Sequence, residues 1–230
     1  MSLLLENLQL FNRKERFHLL ATALPLQHSE NLLDPAFAKQ LEGLTGLTLP
    51  ERVFLAIDYH LDWLYAALHT ARMSHRASEL RWSSATPLDN VFSRKVNGRQ
   101  AIARSPRDID LLLAYDDNGR VQILLIEAKF DTSWSNSQLR EKAGHLANIF
   151  GPNENEWEDL AIPHFLVASP REPQRLDWDV LPNWARKHER WWIKISGAEV
   201  NSVSSESLVR VRCCDERGTD SIDGKRWKVV

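Results

Sequence analysis

Cysteine is almost missing from this chain: 230 residues include only Cys213 and Cys214. Two adjacent cysteines cannot staple distant loops, and their spacing fits no zinc site, so a disulfide scaffold and a zinc module are both excluded. A reducing cytoplasm is the expected home. Long apolar runs are missing too. The longest, such as ILLI at 123–126, are strand-sized, far short of a bilayer span, so no membrane association is expected. The opening MSLLLENLQLFNRKERF carries Glu6 within its apolar part and no small-residue cleavage site, so it does not read as a signal peptide. There is no glycine-rich phosphate loop and no nucleophile elbow. No charge excess exists either: 29 Lys and Arg against 31 Asp and Glu leave a formal charge of −2, which excludes a polycation that coats nucleic acid in bulk.

What is present is the composition of a globular protein, 43% hydrophobic and 26% charged, at a length that suits one well-packed domain. Nine tryptophans are many for that length, and several are needed to fill the core. The charge is unevenly spread. Residues 71–107 hold eight basic side chains (Arg72, Arg76, Arg81, Arg94, Lys95, Arg99, Arg104, Arg107) against Glu79 and Asp89. A basic strip on a near-neutral protein suits a surface that tracks phosphates, although a solvated charged face has the same composition.

Local signals give an order of elements. Residues 1–48 read as a helical extension: NRKERFHLLATAL is amphipathic, and DPAFAKQLEGL is a second helix with Asp34 as N-cap, Pro35 in its first turn and Gly43 and Gly46 closing it. Residues 49–230 form the main domain. It opens with a long expected helix from Leu49 to about Leu80, because Val53, Phe54, Ile57, Leu61, Leu64, Tyr65 and Leu68 recur at helical spacing and no proline or glycine interrupts them. Asn97-Gly98 reads as a hairpin turn. DIDLLLAY, the turn Asp116-Asp117-Asn118-Gly119 and VQILLIEAKF read as a second, buried hairpin. SNSQLREKAGHLANIF is a helix capped by Ser135 or Ser137 and stopped at Gly151-Pro152, followed by the strand IPHFLVAS, a short helix LPNWARKHER and the strand WWIKISG. LVRVRCC and GKRWKVV read as edge strands or loose ends. The result is an α/β sandwich around a mixed central sheet.

Chemistry concentrates at the open end of the second hairpin. Asp110 begins an otherwise apolar strand; Glu127 and Lys129, two residues apart and therefore on one face, end its partner. Counting outward from the turn brings Asp110 and Glu127 opposite one another to within a residue or two, with Asp108 as a rival two residues earlier. Charges do not gather at the end of hydrophobic strands without partners, and a divalent cation supplies one, since carboxylate oxygens are the hard ligands magnesium takes. A structural ion-pair cluster capping the sheet is the competing account.

Asp110, sixteen further residues and then Glu127-Ala128-Lys129 resembles the PD-(D/E)xK nuclease motif. The resemblance covers roughly residues 50–195. It implies a restriction-endonuclease-like three-layer sandwich, a mixed sheet flanked by helices. It further implies Asp110, Glu127 and the Ala128 carbonyl as ligands of Mg2+, with Mn2+ as a substitute. Lys129 then positions or deprotonates the attacking water. Many relatives carry a glutamine in the helix after the triplet, which points to Gln138, with Lys142 one turn further on the same face. The family often adds an acid from the helix before the sheet, for which Glu51, Asp58 and Glu79 are candidates. Trp134, just past the triplet, has the chemistry to stack on a base and equally that of a core or rim residue. The expected activity is phosphodiester hydrolysis in nucleic acid, DNA in the first place, and the family admits a homodimer. A protein that keeps the fold to bind or assemble without cutting is the alternative, and an unrelated hydrolase of small phosphate esters is a third.

Overall fold

The computed structural model describes residues 2–11, 31–80, 88–89, 107–129, 136–153, 155–169, 172–186, 192–194 and 211–230. Its strands are β1 (Asn31–Leu32), β2 (Arg52–His60), β3 (Leu88–Asp89), β4 (Asp108–Asp117), β5 (Arg120–Ala128), β6 (Ala161–Ser169), β7 (Trp192–Lys194), β8 (Val211–Cys214) and β9 (Arg226–Val229). The α-helices are α1 (Leu3–Phe11), α2 (Pro35–Thr45), α3 (Leu61–Arg72) and α4 (Asn136–Phe150). Six strands form one sheet in the order β1-β2-β4-β5-β6-β7, and β3-β9-β8 form a small antiparallel one. The large sheet is mixed: β1 to β5 pair antiparallel, whereas β5-β6 and β6-β7 are parallel. The chain is therefore α/β with a mixed central sheet, as its element order predicts. Among the described residues no helix is long and apolar enough to cross a membrane.

The hairpin β4-β5 is the centre of this arrangement. Asn118 (φ 53) and Gly119 (φ 87) both take the left-handed conformation, the backbone that a two-residue hairpin turn requires. From that turn the register runs outward through Ala114 opposite Ile123 to Leu111 opposite Ile126. Both strands are apolar on both faces. On one side Leu112, Ala114, Ile123 and Leu125 pack with α1, α3 and α4; on the other Leu113, Tyr115, Leu124 and Ile126 pack with Leu41 and Phe37 of α2. Segments of the first 48 residues thus reach both faces: α1 buries Leu4, Leu8 and Phe11 beneath α3, and α2 covers the opposite face. The caps of α2 are those its sequence specifies. Asp34 Oδ1 accepts the N–H groups of Ala36 (3.0 Å) and Phe37 (2.9 Å), and Gly46 (φ 71) closes the helix.

One expected element is corrected. The long helix from Leu49 to Leu80 does not exist: residues 52–60 are the strand β2, and α3 begins only at Leu61. The apolar positions of this run satisfy both periods, so helical spacing alone misleads. The β-branched and aromatic residues Val53, Phe54, Ile57 and Tyr59 favour the strand, while 61–72 is rich in Leu and Ala. The hairpin expected at Asn97-Gly98, the amphipathic segment over 12–24, Trp134 and Ser135 lie outside the described residues.

Candidate active site

The site lies where β2, β4 and β5 end together. Ile57 of β2 faces Leu111 and Tyr59 faces Ile109, so the intervening Asp58 stands opposite Asp110. One step beyond the Leu111–Ile126 pair, the β4-β5 register sets Asp110 opposite Glu127. Asp58, Asp110 and Glu127 thus occupy neighbouring positions on three strands. Asp58 holds φ 48, a left-handed conformation that aspartate tolerates better than most residues. The regular pairing breaks at this row. Asp110 Oδ2 accepts the backbone N–H of Ala128 at 2.6 Å, a side chain standing in for the strand acceptor.

Glu127 is largely sequestered, with 12% of its side chain exposed. Burial pushes its carboxyl above the usual carboxylate range; Lys142 pulls it back, Asp110 pushes it further up, and Lys129 lowers it. Asp110 and Lys129 therefore both lie within electrostatic reach of Glu127, as the hairpin count predicts. The backbone N–H of Lys129 continues the sheet by donating to the Ala168 carbonyl at 2.9 Å.

Lys142, from the second turn of α4, is more deeply engaged than its sequence position suggests. Its Nζ donates to Glu127 Oε2 and also to the backbone carbonyl of Asp108. The only sequence signal was its position one turn after Gln138. Gln138 itself is exposed on that helix. Asp108, the rival of Asp110, turns instead to β2: its Oδ1 lies 2.7 Å from His60 Nδ1. Of the remaining acid candidates, Glu51 is exposed in the bend before β2, and the side chain of Glu79 falls outside those described.

The basic strip is partly committed elsewhere. Arg72 bonds Asp159 (2.5 Å) and the Glu156 carbonyl (2.9 Å) and lies 4.1 Å from the centre of the Trp157 ring; Arg76 pairs with Glu6 at 2.7 Å. Both guanidinium groups are thus engaged by partners within the chain while staying exposed. Arg81, Arg94, Lys95, Arg99 and Arg104 lie outside the described residues. Arg107 carries the strand onward, its carbonyl accepting the Leu61 N–H at 2.8 Å.

Among the described residues no three His, Cys, Asp or Glu side chains form a ready-made metal-binding group. The donor set nonetheless fits magnesium, which keeps several waters and uses one or two carboxylates rather than an all-protein cage. Asp110 and Glu127 supply hard oxygens at opposed positions, and the Lys142 ammonium already marks a place where Glu127 meets positive charge. The chain matches no protein-family model, no curated protein and no solved structure.

Proposed function

We propose that this protein is a magnesium-dependent nuclease of the restriction-endonuclease-like kind, acting on DNA. The observation that carries the reading is the opposition of Asp110 and Glu127 across the open end of a buried hairpin, with Lys129 within reach of Glu127. Two carboxylates and a lysine at a dry sheet margin match the chemistry of phosphodiester hydrolysis better than that of a stability device. Replacing such a cluster with apolar residues would stabilise the fold at least as well.

In this reading Asp110, Glu127 and the carbonyl of Ala128 would hold the ion. A bound Mg2+ or Mn2+ lowers the pKa of a coordinated water and offsets charge developing on the phosphate. Lys129 orients that water by donating to its oxygen, and the water's proton passes to solvent. Asp110 is held by the Ala128 N–H, and Lys142 offsets part of the cost that burial puts on a charged Glu127. Gln138, on the exposed side of α4, is assigned to the nucleic-acid backbone near the site. The decisive experiment is a cleavage assay on circular and linear DNA with Mg2+, with Glu127→Ala as the control. Metal-dependent cleavage that survives in Glu127→Ala, or none in the wild-type protein, overturns the reading.

One observation favours a second reading, a binding or assembly protein that keeps the fold without cutting. Lys142 neutralises Glu127 internally, as a structural ion pair would. Calorimetric titration with Mg2+ separates the two: the nuclease binds the ion through Glu127, and the scaffold has no need to.

A further inference from the structure

His60 and Asp108 form a pair that the nuclease reading leaves without a task. They are directly opposed residues of β2 and β4, with Nδ1 of the imidazole 2.7 Å from Asp108 Oδ1. His60 closes β2 and sits at the N-cap of α3, yet its side chain makes no capping bond. The Trp63 ring packs edge-on against it at 4.1 Å between centroids and fixes the imidazole from the helix side. The pair is half-buried, with 21% of the His60 and 26% of the Asp108 side chain exposed, so the ring is ordered and still open to a ligand.

The pair is also tied to the carboxylate site. The same Lys142 ammonium that meets Glu127 holds the backbone carbonyl of Asp108. Asp108 and Asp110 are two residues apart on β4, or roughly 7 Å along an extended chain. Nδ1 lies against the Asp108 carboxylate, so Nε2 is the ring nitrogen farther from it, the side on which a carboxylate-held imidazole meets a substrate.

We propose that His60 is the proton donor to the leaving oxygen of the phosphodiester, and that Asp108 holds the ring for it. The proposal rests on the nuclease reading above. A water oxygen forms the new bond to phosphorus, and the bond from phosphorus to the leaving oxygen breaks with its electron pair passing to that oxygen. The Nε2 proton of the imidazolium moves onto the oxygen, releasing a neutral hydroxyl end. The water's own proton leaves to solvent, and solvent restores the proton on Nε2.

A leaving-group substitution tests this. Once the linkage cut by the wild-type protein has been mapped, the same DNA is made with sulfur in place of the bridging leaving oxygen, since a thiolate departs without a proton donor. His60→Ala is expected to cut the ordinary diester about 100-fold or more slowly, the usual worth of a positioned acid, and the sulfur-bridged strand at close to the wild-type rate. Asp108→Asn, which keeps the backbone carbonyl that Lys142 uses, is expected to show the same sparing with a smaller loss. Equal losses on both substrates reveal a structural role and overturn the proposal, as does an unchanged rate on the ordinary diester. A wild-type protein that cuts neither substrate removes the nuclease reading and this proposal with it.

Discussion

The carboxylate of Asp110 accepts the N–H of Ala128 at 2.6 Å, so the residue that would hold a metal is also part of the sheet's hydrogen bonding. The two duties separate by substitution. Asp110→Asn keeps an oxygen acceptor and is expected to unfold within about 1 kcal/mol of wild type, while DNA cleavage disappears. Asp110→Ala leaves that N–H without its partner and is expected to lose roughly 1–3 kcal/mol as well. Urea unfolding of the two variants checks this; equal stability would mean the bond contributes nothing.

Lys129 follows Glu127 by two residues, and its backbone alone joins the sheet, through Ala168. Lys129→Ala is therefore expected to fold normally and bind DNA about as well as wild type. Its cleavage rate should fall by about 100- to 10,000-fold. Gel-shift and single-turnover assays on one preparation measure both, and magnesium-dependent cutting retained in the variant would remove the role given to this lysine.

Lys142→Met strips a largely buried carboxylate of its counter-charge, and a cost of roughly 3–5 kcal/mol at neutral pH is expected. The folded-state carboxyl of Glu127 lies above its unfolded value, and the substitution raises it further. A group raised in this way favours the fold below its unfolded pKa and loses that contribution as pH rises through the folded one. The deficit of Lys142→Met should thus grow from acid to neutral pH. Millimolar Mg2+ should stabilise the variant more than the parent, because the ion takes over the neutralising role. Denaturant melts with and without the ion decide it.

His145 of α4 is 5% exposed and lies 3.7 Å from Asp62 of α3. Burial and then the nearby Arg107 charge lower its pKa from 6.5 to about 4, so the ring is neutral at pH 7 and the contact with Asp62 is no salt bridge there. A depressed pKa contributes stability that is present above the unfolded value and is lost as pH falls through the folded one. Thermal melts should show wild type losing up to roughly 3 kcal/mol between pH 6.5 and 4, with His145→Gln flatter over that window. Parallel curves would show that this imidazole does not carry the acid sensitivity.

Gly224 faces the main chain of the small sheet: a Cβ there would lie 2.2 Å from the Cys214 carbonyl oxygen and 2.7 Å from its nitrogen. Those atoms are backbone and cannot swing aside. Gly224→Ala is expected to lower the melting temperature by several degrees, an overpacking cost of about 1–3 kcal/mol. An unchanged melting temperature would show that the loop yields freely.

The parts of the fold that were legible in sequence are those with local punctuation. Asp34, Pro35 and Gly46 mark α2, and Asn118-Gly119 sets the hairpin register, which brings Asp110 opposite Glu127. The junction of β2 and α3 carries no such mark. Its break is a left-handed Asp58, which in sequence looks like any helix acid, and the apolar residues around it suit either period. With β2 read as helix, the pairing of His60 with Asp108 was out of reach. Those residues stand 48 apart and meet only once the strand is recognised. Lys142 was placed on the right helix, but nothing local tells which of its polar residues turns inward.

Because β4 takes one neighbour from residues 52–60 and the other from 120–128, motif and scaffold are separable in the chain. A fragment starting at Arg107 would contain Asp110, Glu127, Lys129 and Lys142 and still expose the flank of residues 111–114 as an unpaired apolar edge. Such an edge recruits other copies of itself. The segment ahead of the motif thus acts as a guard against self-association, protecting the strand on which the acid sits.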